Sequence, residues 1–292
     1  MTRIIQELAE ISDRYDVLFC DLWGCVHDGV QAMPAAVAAL QAFRAKGGAV
    51  VLLTNAPRPK PSVARQIARL GVPEDAWDDI VTSGDAAQHG LVTGAVGRKI
   101  WHIGPSKDLT FFSEMSPDLP KADIALVPQA EAEGIVCTDL FENLTEQPED
   151  YRGRLMLARE AGLPMLCANP DLMVDYGDKR VWCAGALAKL YEEIGGTALY
   201  FGKPHPPIYD LARRRLAARG IEVVEDRILC LGDGIGTDVA GAAGEGLDGL
   251  FVTGGLAAAD FGPDPEHPDP QSLNTWLAAR GAAPQWSIGR VR

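Results

Sequence analysis

The chain has 292 residues, about two domains' worth at roughly 100–200 residues each. Its 27 Lys+Arg against 40 Asp+Glu leave a formal charge of −13 spread along the whole length. Such a surface repels polyanions, which excludes nucleic acid and anionic membrane as partners. A hydrophobic content of 47% with 23% charged residues is that of a globular chain, not a disordered one.

The longest apolar runs, such as Ala49–Leu53, are strand-sized and too short to span a bilayer. The opening segment, Met1 to Tyr15, carries Glu7, Glu10 and Asp13 and lacks the apolar stretch of a signal peptide. Cys20, Cys167 and Cys230 sit inside apolar runs, and the six cysteines form no CxxC pair. Reduced, mostly buried thiols and a cytoplasmic location are expected.

Short apolar runs alternate with helical patterns, which predicts an α/β fold with a parallel sheet. Val17–Cys20 reads as a strand and Pro34–Lys46 as a helix, with Val37, Leu40 and Phe43 on one side and Gly47-Gly48 at its stop. Val50–Leu53 is the next strand and Pro61–Leu70 the next helix. A stretch of about a hundred residues follows with its own elements: strands at Lys99–Ile103, Ile124–Val127 and Met165–Cys167, and a helix at Glu149–Ala161. The predicted organisation is a core of residues 1–83 and 185–292 interrupted by an inserted domain, 84–184. The core resumes with a helix at Gly185–Ile194, a strand at Leu199–Phe201, a helix at Pro207–Arg219, and strands at Ile228–Leu231 and Leu250–Val252. A Pro- and Asp-rich loop then precedes a short helix near Leu273–Ala279.

Four of these predicted core strands run into polar residues suited to phosphate chemistry. Val17–Cys20 meets Asp21, Val50–Leu53 meets Thr54-Asn55, Leu199–Phe201 meets Gly202-Lys203, and Ile228–Leu231 meets Gly232-Asp233, with Asp238 five residues on. Ligands of open parallel sheets bind at the carboxyl ends of the strands, so the four groups converge on one crevice. Carboxylates brought together need a cation between them, and Mg²⁺ suits oxygen ligands. Lys203 adds a fixed positive charge, while Thr54 offers a hydroxyl and Asn55 a backbone N–H to an oxyanion. This set describes phosphoryl transfer with Asp21 as nucleophile. Gly232-Asp-Gly-Ile-Gly could pass for a dinucleotide-binding loop, but Asp233 inside it would repel a pyrophosphate.

The ordered set Asp21-Leu-Trp-Gly24, Thr54-Asn55, Gly202-Lys203-Pro204 and Gly232-Asp-Gly-Ile-Gly-Thr-Asp238 resembles the four motifs of the haloacid dehalogenase (HAD) superfamily. The insert containing Ala168-Asn169-Pro170-Asp171 is similar to that of subfamily IIA, the NagD-like and 4-nitrophenylphosphatase-like enzymes with a C2-type α/β cap. The resemblance implies a Rossmann-like core, Mg²⁺, and hydrolysis of a small phosphorylated metabolite through an aspartyl-phosphate on Asp21. It implies metal ligation by Asp21, the Trp23 carbonyl and Asp233, with Asp238 beside the metal or orienting Lys203. Asn169 and Asp171 would lie near the substrate, and a cap-mediated homodimer is a further expectation.

The chain departs from the family's pattern at Trp23, where the superfamily's phosphatases usually carry a second aspartate as general acid and base. An indole N–H does not titrate usefully. His27, four residues on, is the candidate substitute, since histidine titrates near neutral pH, the alternative being that His27-Asp28-Gly29 only makes a turn. Arg58 and Lys60 follow Thr54-Asn55 closely enough to meet an incoming phosphate or carboxylate. Without an acid, the alternative to a hydrolase is a phosphometabolite-binding or regulatory protein. Carbon–halogen hydrolysis also does without that aspartate, but it does not use the acids Asp233 and Asp238.

Overall fold

Side chains of successive residues in the central strands enter opposite apolar clusters, so the whole strand is apolar and both sheet faces are covered. Leu18, Cys20, Val50 and Leu52 pack on one face, and Val17, Phe19, Val51 and Leu53 on the other. The computed structural model describes residues 2–176 and 179–292. Seven parallel strands form the larger sheet, in the order Arg3–Ile4, Trp286–Ile288, Asp248–Val252, Ile228–Gly232, Val17–Cys20, Ala49–Thr54, Asp79–Thr82.

The helices follow their start and stop signals. Pro34–Ala45 begins on proline and buries Ala36, Val37, Leu40 and Phe43. Lys60–Leu70 buries Val63 and Ile67 and ends at Gly71, whose φ of +97° suits a residue without a Cβ. The chain is an α/β protein built on a parallel sheet.

A second parallel sheet has the order Ala198–Tyr200, Met165–Cys167, Gly134–Cys137, Lys99–Ile103, Ala125–Leu126. An antiparallel pair, Met173–Tyr176 with Lys179–Trp182, stands beside it in the chain. This arrangement moves a domain boundary. The core was expected to resume at residue 185 with a strand at Leu199–Phe201, but Ala198–Tyr200 pairs with Met165–Cys167 in the second sheet. The helix Ala184–Glu193 likewise sends Leu187, Leu190 and Tyr191 into the cluster of Ile103, Ile135 and Met165. The insert therefore runs to about residue 200, and Lys203 arrives on a loop before the helix Pro206–Ala218. A three-residue apolar strand carries no signal of which sheet it joins, and that is the physical source of the misplacement.

Candidate active site

Three adjacent strands of the larger sheet end side by side, and their carboxyl ends carry Asp233, Asp21 and Thr54. All three residues are buried and line one cavity of about 470 Å³, together with Lys203 and Asp238. Lys203 comes from outside the sheet. Its main-chain N–H donates to Asn55 Oδ1 at 2.7 Å, and Asn55 Nδ2 returns a bond to the Lys203 carbonyl at 3.1 Å. Those bonds fix the lysine loop on the end of the Ala49–Thr54 strand. The Nζ of Lys203 then lies 2.5 Å from Asp21 Oδ1 and 2.7 Å from Asp238 Oδ1, with the lysine only 3% exposed.

Electrostatics follow from that packing. Burial pushes Asp21 up to about 7 against the pull of Lys203, and Asp238 adds to the rise. Burial also raises Asp233 well above the usual carboxylate range, with Asp21 and Asp238 adding to it. Lys203 is buried too, yet Asp21, Asp238 and Asp171 around it hold its ammonium strongly protonated. Removing the lysine would leave two buried carboxylates uncompensated, a loss of about 3–5 kcal/mol.

Ligand atoms of Asp21, Asp233 and Cys25 lie within 4.8 Å of one another, all three residues buried. Two carboxylates held together against burial and mutual repulsion are a donor set that fits a hard divalent cation. Close approach is built in: a Cβ on Gly24 would overlap Asp233 Oδ2, and Gly24 has φ +75°. Asp233 also accepts the Leu256 N–H at 2.9 Å, which fixes its rotamer.

Several expectations change. Asp238, expected among the metal ligands, is outside this cluster; its oxygens are taken by Lys203 and by the Gly234 N–H at 3.1 Å. It acts on Lys203, the other role considered for it. Cys25, for which no cysteine pairing gave a signal, is brought beside Asp21 and Asp233 by the fold. His27, expected as the substitute acid and base, is buried against the Trp23 ring and accepts the Gly29 N–H on Nδ1 at 3.1 Å. Burial lowers it to about 4, so it is neutral at pH 7 and holds no spare proton to give. The indole of Trp23 points away from proton chemistry altogether, donating to the Asp175 carbonyl.

Asn169 and Asp171 reach the cavity as expected. Asn169 Oδ1 accepts the Asp171 N–H at 3.0 Å, and Asp171 Oδ1 accepts from Asn55 Nδ2 at 2.9 Å. Thr54 keeps its hydroxyl at the wall, where Oγ1 accepts the Ala56 N–H at 3.2 Å. Arg58 lines the same cavity but faces a group that spacing did not reveal: it pairs with Asp108 at 3.7 Å and donates to Gln66 Oε1 at 2.5 Å. Asp139 and Asn143 adjoin it. Lys60 instead pairs with Asp79 and takes no part in the cavity wall, and His205 stacks on Tyr200.

Residues 18–116 match the model of the haloacid dehalogenase-like hydrolases, and residues 200–275 match a second, HAD-hydrolase-like model. A crystal structure of a haloacid dehalogenase-like hydrolase from Brucella suis 1330 is 44% identical, covers 99% of this chain and 100% of its own, and superposes with a TM-score of 0.85. The chain belongs to the haloacid dehalogenase-like hydrolases. Ribonucleotide monophosphatase NagD of Escherichia coli K12 is 26% identical over 252 residues, 83% of this chain and 89% of that protein. A glycerol phosphate phosphatase from Mycobacterium tuberculosis, crystallised with magnesium, is 26% identical, with a TM-score of 0.64 over 85% of this chain and 71% of its own. The NagD neighbour agrees with subfamily IIA, and both of these relatives are phosphoric monoester hydrolases by name.

Proposed function

We propose that this chain hydrolyses small phosphate monoesters, with Asp21 as the nucleophile and Mg²⁺ as the cofactor. The observation that carries the reading is the Lys203 ammonium held 2.5 Å from Asp21 beside Thr54 in one cavity. An Asp21 oxygen attacks phosphorus as the ester P–O bond breaks, and the alcohol leaves with the bonding pair. Lys203, the Thr54 hydroxyl and the backbone N–H of Asn55 hold the phosphoryl oxygens. Water then attacks the aspartyl-phosphate, releasing inorganic phosphate and restoring Asp21. Mg²⁺, held by Asp21, Asp233 and the Trp23 carbonyl, would neutralise charge developing on the phosphoryl oxygens. The relative crystallised with magnesium supports that choice.

Trp23 and the neutral His27 leave the departing alcohol without a proton donor, a device typically worth about 10²–10⁴ in rate. Alkyl phosphates are therefore turned over slowly, and aryl or acyl phosphates, whose leaving groups need no proton, faster. Phosphate release from 4-nitrophenyl phosphate, acetyl phosphate and alkyl phosphates, with and without Mg²⁺, tests this. The expected result is release that needs Mg²⁺, disappears in Asp21→Asn and favours the aryl and acyl esters. Phosphate-ester binding without release from any of them would instead establish the second reading, a phosphometabolite-binding protein.

A further inference from the structure

The support of the Asp233 carboxylate leads out of the core. Asp233 is buried, and a Cβ on either Gly24 or Gly255 would overlap its Oδ2, so two backbone segments press on it. That same oxygen accepts the Leu256 N–H at 2.9 Å. The strand Asp248–Val252 ends shortly before, and Gly254-Gly255 joins it to Leu256. Paired glycines permit the close approach, but they leave a backbone with much freedom, so the link alone does not hold Leu256 in place.

The anchor comes from the inserted domain. The Leu256 carbonyl accepts from Arg180 Nη2 at 3.1 Å, across 76 residues of chain. Asp175, on the paired strand, aims the guanidinium: Nε donates to Oδ1 at 2.7 Å and Nη2 to Oδ2 at 2.8 Å, a fork that restricts its rotation. The Asp175 carboxylate raises Arg180 above its ordinary pKa, and the charge of Asp233 adds to the rise. As a stability device the pair is weak. The side chains of Arg180 and Asp175 are 50% and 38% exposed, and ion pairs in that setting contribute about 0–1 kcal/mol. Its geometry serves another end, because the guanidinium also holds the residue whose N–H orients Asp233. Groups that orient a metal ligand set the affinity of the site, and losing one bonded directly to a ligand typically costs about 10–100-fold.

We infer that Arg180 is a positioning residue that, through the Leu256 main chain, holds Asp233 in place for the divalent cation, so that docking of the antiparallel pair and cation binding strengthen each other. The inference rests on the reading of Asp233 as a metal ligand and adds a control of that site from the inserted domain.

The probe is Mn²⁺, whose free concentration is read by electron paramagnetic resonance. Titrations compare the parent with the double variant Asp175→Asn/Arg180→Met, which removes the fork at unchanged net charge and leaves the main-chain carbonyl at 175 to the Trp23 indole. The Mn²⁺ Kd should rise about three- to tenfold, less than for a direct partner because the Leu256 main chain intervenes. Arg180→Lys keeps the charge and a donor, and its Kd should fall between the two. A merely structural role would move the urea midpoint of the metal-free protein and leave the Kd alone. Coupling is reciprocal, so saturating Mg²⁺ should slow amide exchange across Met173–Tyr176 and Lys179–Trp182 of the parent by about the same factor, and leave the double variant unchanged. An unchanged Kd in the double variant, or exchange in the parent that ignores Mg²⁺, overturns the inference. Asp233→Asn separates that outcome from failure of the metal reading. If it binds Mn²⁺ as tightly as the parent, or the parent binds none, Asp233 is not a ligand and the inference falls with that reading.

Discussion

The indole N–H of Trp23 donates to the main-chain carbonyl of Asp175, joining the loop that leaves the Asp21 strand to the antiparallel pair at 173–182. Tyr176 lies 6.1 Å from the Trp23 ring, centroid to centroid. From the facing strand, Arg180 pairs with Asp175 and reaches the Leu256 carbonyl at 3.1 Å, and the Leu256 N–H is the group that holds Asp233. Trp23 thus fastens the antiparallel pair, which contributes Val174, Tyr176 and Val181 to the cavity wall.

Trp23→Phe keeps most of the ring and removes the donor. The lost bond is worth about 1 kcal/mol, which is a factor of about five in a local opening equilibrium. Amide hydrogen exchange across Met173–Tyr176 and Lys179–Trp182 should accelerate by about that factor, while the central strand Val17–Cys20 keeps its protection. Identical exchange in the hairpin of both proteins would show that the indole bond does not hold it.

Asn55 is the second junction, and a more costly one to remove. Its amide makes three hydrogen bonds, to the Lys203 N–H, the Lys203 carbonyl and Asp171 Oδ1, in a buried setting. Asn55→Ala leaves the Lys203 N–H without its acceptor and should lower unfolding free energy by about 2–4 kcal/mol. Asn55→Asp should be at least as harmful, because a new carboxylate would face Asp171 where an amide N–H now stands. Urea unfolding midpoints check both, and a midpoint within error of the parent for Asn55→Ala would refute the junction.

The inner half of the site was legible in the sequence, and the outer half was not, for a physical reason. Asp21, Thr54 and Asp233 each follow a fully apolar run, and a buried parallel strand imposes that pattern on its own sequence. Lys203 was legible as a residue of the cavity although its strand was misplaced, because Ala198–Tyr200 is apolar whichever sheet it joins. Asp108 follows a proline turn and Asp139 lies two residues past the strand Gly134–Cys137, and nothing in their spacing ties them to Arg58, fifty residues and more upstream. The strand Asp79–Thr82 was missed because it opens on a buried aspartate, which Lys60 neutralises from the neighbouring helix. The partner of the Trp23 N–H lies 152 residues away in the chain, and only the fold brings it near.

Asp139 gives the outer cluster a signature in the pH dependence of stability. Burial, with Asp108 adding to it, pushes its carboxyl up to about 7, while the Leu140 N–H, Lys107 and Asn143 pull the other way. An unfolded aspartate titrates near about 3.9. Between those values the folded chain holds a proton that the unfolded chain has lost, so this group's contribution is full at low pH and disappears as pH rises towards 7. Asp139→Asn keeps the shape, can still accept the Leu140 N–H, and removes the titration. The variant-minus-parent difference in unfolding free energy should therefore rise between pH 4.5 and 8, by on the order of 2–4 kcal/mol, and level off above pH 8. Urea titrations of both proteins across that range give the curve. A difference that stays flat with pH would mean that Asp139 ionises freely in the folded chain.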